Sequence, residues 1–116
     1  MGEIRYVENN QTKCRQASTS KVAVVYATPD TVLSDIARAM RLADYQAFLP
    51  RDVANILKIN ISWQHYYPAC STTPWQLEGV VKTLLDDGYS DLTPAHNGTV
   101  VVDPRVGAEN NRHSAV

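Results

Sequence analysis

The sequence predicts an α/β fold: a β-α-β-α-β unit with a mostly parallel sheet and a terminal hairpin. Two observations carry this reading. Runs rich in β-branched and apolar residues, at 21–27 and 54–61, alternate with stretches whose apolar residues recur every three or four positions. Strand–helix–strand order then calls for parallel pairing through right-handed crossovers.

The elements follow in order. Residues 1–20 form a polar N-terminal extension with a short strand at Ile4–Val7. Lys21–Ala27 is a continuous apolar run and predicts a strand covered on both faces. Next comes Thr28-Pro29-Asp30-Thr31, in which either Thr28 caps a helix with Pro29 at its first position or Asp30 caps it a turn later. Val32, Leu33, Ile36, Ala39, Met40 and Ala43 give that helix one apolar stripe, ending near Leu42–Tyr45. A turn at Phe48–Asp52 returns the chain to a second strand, Ala54–Ile61, interrupted by Lys58 and Asn60.

After a long loop, Thr73-Pro74-Trp75-Gln76 is a capping box with proline at the first helical position. Leu77, Val80, Val81, Leu84 and Leu85 form the stripe of this second helix, and Gly88 closes it in the left-handed conformation. A third strand near Ser90–Ala95 and a fourth at Thr99–Val102 are joined by Asn97-Gly98, a strong hairpin signal. The domain therefore spans 21–103, and 104–116 is a polar C-terminal tail.

Composition excludes several functions. The chain has 116 residues, 44% of them hydrophobic and 20% charged, which suits one globular domain. Net charge is −1 and the 11 basic residues are spread thinly, so no cluster exists to neutralise nucleic-acid phosphates. No stretch reaches the roughly 18 apolar residues of a membrane span. The N-terminus lacks a secretory apolar segment, and Tyr6 stands where myristoylation needs Ser or Thr. Cytoplasm is the default. Cys14 and Cys70 are too few for a disulfide scaffold, and the Asn-x-Ser/Thr triplets at Asn10, Asn60 and Asn97 mean nothing without secretion.

In open parallel sheets ligands bind beyond the carboxyl ends of the strands. That rule selects Tyr26–Asp30, Ser62–Thr73 and His96–Gly98, of which the loop Ser62–Thr73 is the richest. Its far end is the start of a helix, where free amides and the dipole favour an anion, with Ser71, Thr72 and Thr73 supplying hydroxyls. The plainer reading is that these residues only cap the helix. Lys58 and Asn60 either point to an anionic ligand at the strand's end or lie on the solvent face of an edge strand. His96 and Asn97 complete the candidate ligand set. His65, Cys70 and His96 are residue types that hold zinc, although their spacing matches no zinc motif. Trp63, Tyr66, Tyr67 and Trp75 can stack on a ring or pack on a partner.

The segments Ile56-Leu-Lys-Ile-Asn60, Cys70-Ser-Thr-Thr-Pro74 and Leu85-Asp-Asp-Gly88 resemble DUF362, a domain family of unknown function. The matching positions are Lys58, Asn60, Thr72, Thr73, Pro74, Val80, Val81, Leu84, Leu85 and Gly88, and the likeness extends over about 21–110, including Ala95–Pro104. Ile59 departs from it, since many relatives have proline there. Family domains usually run longer, so the resemblance implies that this chain is the N-terminal part of one. Some relatives carry an iron–sulfur cassette, but two distant cysteines give no support for a cluster here.

Three functions follow as expectations. The first is an enzyme or binding domain that takes an anionic small molecule at the second helix, through Lys58, Asn60, Thr72, Thr73, His96 and Asn97. The second is a non-catalytic module, or a truncated domain, whose aromatic loop packs on a missing C-terminal half, on a partner chain or on a second copy. The third is metal binding by His65, Cys70 and His96. The sequence names no reaction and no cofactor.

Overall fold

The computed structural model describes residues 21–67, 69–96, 98 and 103–116. The strands expected at Ile4–Val7 and Thr99–Val102, together with Cys14 and Asn97, lie outside the described residues.

The chain is a mixed α/β fold with helices and a small parallel sheet. The first helix, α1, is Val32–Leu42 and starts one turn later than the proline signal implies. Neither Thr28 nor Asp30 caps it. Thr28 and Thr31 instead close a turn, with the Thr31 N–H donating to the Thr28 carbonyl at 3.1 Å. The Thr31 hydroxyl then donates to the Asp35 carboxylate at 2.6 Å, which places a negative charge in the first helical turn where the dipole favours it.

Strand β1, Asn55–Lys58, pairs in parallel with β2, Leu92–Ala95, so that Leu57 stands opposite Pro94. Alternation along and beyond β1 sorts its side chains. Asn55, Ile59 and Ile61 are buried, whereas Ile56, Lys58 and Asn60 are exposed. Buried Asn55 is satisfied, its amide donating to the carbonyls of Val53 at 2.8 Å and Pro50 at 3.2 Å. The solvent-face reading of Lys58 and Asn60 therefore describes this strand.

Helix α2, Pro74–Asp86, is the firmest element. The Thr73 hydroxyl accepts from the Gln76 N–H at 3.4 Å, and the Thr73 N–H donates to Gln76 Oε1 at 2.9 Å. At the other end Gly88 has φ 88°. The Tyr89 N–H reaches the Leu84 carbonyl at 2.9 Å and the Gly88 N–H reaches Leu85 at 3.0 Å. That pairing is a Schellman closure. Leu77 meets Ile59 and Ile61 in the core, flanked by Leu57, Val81 and Ala108. Leu85, expected in the stripe, is 53% exposed. Gly79 and Thr83 are buried instead, and Gly79 lets α1 come close enough that Ile36 occupies the space of its missing Cβ.

A second buried group, Thr83, Leu84 and Tyr89, lies near the end of α2. The Tyr89 hydroxyl donates to the Leu49 carbonyl at 2.8 Å, and Arg51 stacks over its ring at 5.6 Å. Beside it, Arg41 and Tyr45 both bind the Asp87 carboxylate, at 2.9 and 2.7 Å, which joins the C-terminal ends of α1 and α2.

Two further expectations change. Lys21–Ala27 is not a strand covered on both faces: Val22, Val24 and Tyr26 are exposed, and the segment makes no backbone hydrogen bond among the described residues. An apolar run reports β propensity, but a strand also needs a partner edge, which lies elsewhere in the sequence. The polar tail contains a helix, α3, Pro104–Asn110. Asp103 caps it by accepting from the Arg105 and Val106 N–H groups at 2.8 and 3.0 Å. No helix among the described residues is long and apolar enough to cross a membrane.

Candidate functional site

The loop from Ile61 to Thr73 is fixed at three levels. At its base, the Thr72 N–H donates to the Asn60 carbonyl at 2.8 Å, and the Asn60 N–H donates to Thr72 Oγ1 at 3.1 Å. One step further out, the Ser62 N–H donates to Ser71 Oγ at 3.1 Å and the Ser62 hydroxyl donates to the Cys70 carbonyl at 2.6 Å. Beyond that, α3 holds the outgoing limb. Asn110 Nδ2 donates to the Gln64 carbonyl at 2.7 Å, and Asn111 Nδ2 donates to the Trp63 carbonyl at 3.2 Å. Asn111 is 3% exposed, so this link is sheltered from competing water.

The fixed loop leaves its tip projecting. Ala69 takes the left-handed conformation at φ 62°, and the Cys70 N–H closes a turn onto the Tyr67 carbonyl at 3.3 Å. Between this tip, the start of α2 and the end of α3 lies a cleft of about 510 Å³. Tyr66, Tyr67, Pro74 and Trp75 form its apolar wall, Thr72 and Thr73 its floor, and Arg112 and Glu78 its charged rim. Glu78 is bound to Lys82 at 2.6 Å, whereas Arg112 has no ion pair among the described residues.

The expected anion cradle at Thr72 and Thr73 is occupied by the protein itself. The amide of Thr72 goes to Asn60 and that of Thr73 to Gln76, while Pro74 has no N–H to offer. Lys58 Nζ donates to the Ile59 carbonyl at 2.7 Å on the open face of the sheet and does not line the cleft. Asn60 meets Thr72 through its backbone, and its side chain donates to Ser62 Oγ at 2.8 Å. His96 is half-buried just past the end of β2. The structure thus unites Asn60, Thr72 and Thr73 at the loop's base and leaves Lys58 apart.

Among the described residues no three His, Cys, Asp or Glu side chains converge to hold a metal ion, so His65, Cys70 and His96 are not assembled into a site. The His65 ring lies against Trp63, with centroids 6.1 Å apart, and Cys70 is exposed. Three of the four aromatic residues, Tyr66, Tyr67 and Trp75, line one cleft and are 63%, 56% and 44% exposed, whereas Trp63, 37% exposed, does not line it.

Sequence reasoning missed Arg112 and Asn111. The signal for their helix was present, since Asp103-Pro104 repeats the cap-then-proline pattern of Thr73-Pro74. Comparison with protein-family models, with curated proteins and with solved structures gives no match.

Proposed function

We propose that the chain is a non-catalytic binding module that takes an apolar or aromatic segment of a partner protein in the cleft between the loop tip, α2 and α3. The observation that carries this reading is the joint exposure of Tyr66, Tyr67 and Trp75 on the wall of one cleft. Large amphipathic rings supply contact area at low entropic cost, and a rim with charge orients the occupant. The hydrogen bonds from Asn110 and Asn111 fix the loop beforehand, which lowers the ordering cost of binding. A DUF362-like assignment, resting on Lys58, Asn60, Thr72-Thr73-Pro74 and Gly88, belongs to the same proposal, as does a cytoplasmic setting.

The test is selection of a random peptide display library against the chain. Enriched peptides are expected to carry aromatic or proline residues and to bind the Tyr67→Ser, Trp75→Ser double variant at least about tenfold more weakly, or ~1.4 kcal/mol. Peptides that bind the double variant equally well, or no enrichment, overturn the proposal.

A second reading has one specific support: Arg112 faces the same cleft as the hydroxyl-bearing Thr72 and Thr73. A carboxylate or phosphate would then bind at Arg112 rather than at the helix amides. Inorganic phosphate that raises the melting temperature of the wild type but not of Arg112→Gln would support it. Equal shifts in both would remove it.

A further inference from the structure

The outer edge of β1 and the stretch Lys21–Ala27 are complementary, and among the described residues each lacks a backbone partner. In the β1–β2 ladder the N–H groups of Asn55 and Ile59 donate to the carbonyls of Asp91 and Ala95, both at 2.8 Å. The odd-numbered residues of β1 therefore face β2, and the peptide groups of Ile56 and Lys58 face the opposite edge. The same pattern turns the backbone of Pro94 to the outer side of β2. With no N–H there, Pro94 interrupts pairing on that side. The edge at Ile56 and Lys58 is the one along which this sheet can grow.

The stretch Lys21–Ala27 has the composition of a strand to fill it. Ala23 and Val25 are half-buried, lining a hollow with Val32 and Ile36 of α1. Val22, Val24 and Tyr26 are 81%, 78% and 94% exposed, Val24 also bordering the hollow. No charge interrupts the run between Lys21 and Asp30, so it lacks the gatekeepers that keep free strands apart. One face of the two-stranded sheet packs on α2, and a third strand would extend it along the open edge.

We propose that Lys21–Ala27 of a second copy adds to the β1 edge, reciprocally, closing a two-fold dimer. Each copy carries one donor segment and one acceptor edge, so the exchange is complete at two chains and leaves no open end. The apolar area available fits this. Val22, Val24 and Ile56 offer ~100 Å² each and Tyr26 ~200 Å², which over both copies is ~1,000 Å², the lower bound for a specific interface before backbone atoms are counted. The β1 edge lies apart from the aromatic cleft, and Trp75 is the residue that borders both that cleft and the hollow beside Lys21–Ala27.

The experiment uses the full chain with Cys14→Ser and Cys70→Ser. One preparation carries Val24→Cys and another Ile56→Cys. Mixed and oxidised, they are expected to give a disulfide-linked heterodimer, and the parent chain is expected to sediment at twice its monomer mass. Val24→Pro removes the N–H and Val24→Lys adds a gatekeeper charge. Both are expected to halve that mass with helical circular dichroism retained, while Tyr67→Ser keeps the dimer. A parent chain that is monomeric at high micromolar concentration overturns the proposal. So does a Val24→Cys, Ile56→Cys double variant that links only within one chain, or a dimer lost with Tyr67→Ser.

Discussion

Asn60 and Thr72 exchange two hydrogen bonds, amide to carbonyl at 2.8 Å and amide to hydroxyl at 3.1 Å, and so pin together the two ends of the aromatic loop. The pair gives the Thr72 hydroxyl a structural role where the sequence suggested a ligand contact. Because the Asn60 N–H has this hydroxyl as its acceptor, deleting it removes one of the two ties between the loop's ends.

Thr72→Val is therefore expected to lower stability by about 1 kcal/mol in urea unfolding, and Thr72→Ser, which keeps the hydroxyl, by less than half of that. The valine is close in size, so the difference between the two variants reads the hydrogen bond and not the packing. Equal losses would mean that the bond to Asn60 contributes nothing.

Much of this fold is legible in the sequence because its signals are local. Thr73, Pro74, Gln76 and Gly88 mark α2 within one stretch of chain, and the spacing of Val32, Ile36 and Ala39 marks α1. The parallel pairing of β1 and β2 follows from the helix between them. The state of Lys21–Ala27 is not local: its apolar run suits a strand, and whether an edge receives it is decided elsewhere. α3 escaped notice because it is short, contains Gly107, and shows no apolar period beyond Val106 and Ala108. With α3 go Asn111 and Arg112, the side of the cleft that the C-terminal segment supplies. The anion reading of Thr72 and Thr73 was sound in general terms. Here Gln76 and Asn60 already hold the amides of Thr73 and Thr72.

The cap of α3 gives a second prediction. Asp103 Oδ1 accepts two amide bonds at the helix start, so Asp103→Ala is expected to cost about 1 kcal/mol of helix stability. Since Asn110 and Asn111 hold the aromatic loop, fraying α3 should also speed amide hydrogen exchange of the loop residues flanking Gln64. Faster exchange confined to α3 would show that the loop holds its shape alone.

The Arg41–Asp87–Tyr45 cluster predicts two limbs of pH dependence. Hydrogen bonds from Arg41 and then Tyr45 hold the Asp87 carboxyl down at about 2. The fold thus favours the ionised form, and this contribution is complete above the ordinary carboxyl value near 4 and is lost as pH falls from there to about 2. Burial, and then the bond to Asp87, pushes the Tyr45 phenol up to about 12. Here the fold favours the protonated form, so this contribution is complete below the ordinary value near 10 and is lost as pH rises to about 12. Melting temperatures of Asp87→Asn should be flatter than wild type on the acid limb, and those of Tyr45→Phe on the alkaline one. An unchanged acid limb in Asp87→Asn would assign acid unfolding to other carboxylates.

The contact between Gly79 and Ile36 sets the closeness of α1 and α2. A Cβ at position 79 would lie 2.7 Å from Ile36 Cδ1, 3.1 Å from its Cβ and 3.2 Å from Cγ2. Alanine in a helix interior gains about 1 kcal/mol over glycine, whereas overpacking costs about 1–3 kcal/mol. The clash is expected to win, so Gly79→Ala should destabilise by about 1 kcal/mol. Ile36→Val removes the nearest atom, Cδ1, at a cost of about 1 kcal/mol by itself. Combined, the two changes are expected to cost about 1 kcal/mol less than their sum, because the valine gives the new methyl room. Urea unfolding of the two single variants and the double measures this coupling directly. Strict additivity would show that α1 shifts bodily away from α2, and the close approach would then be a consequence of the glycine and not a constraint on it.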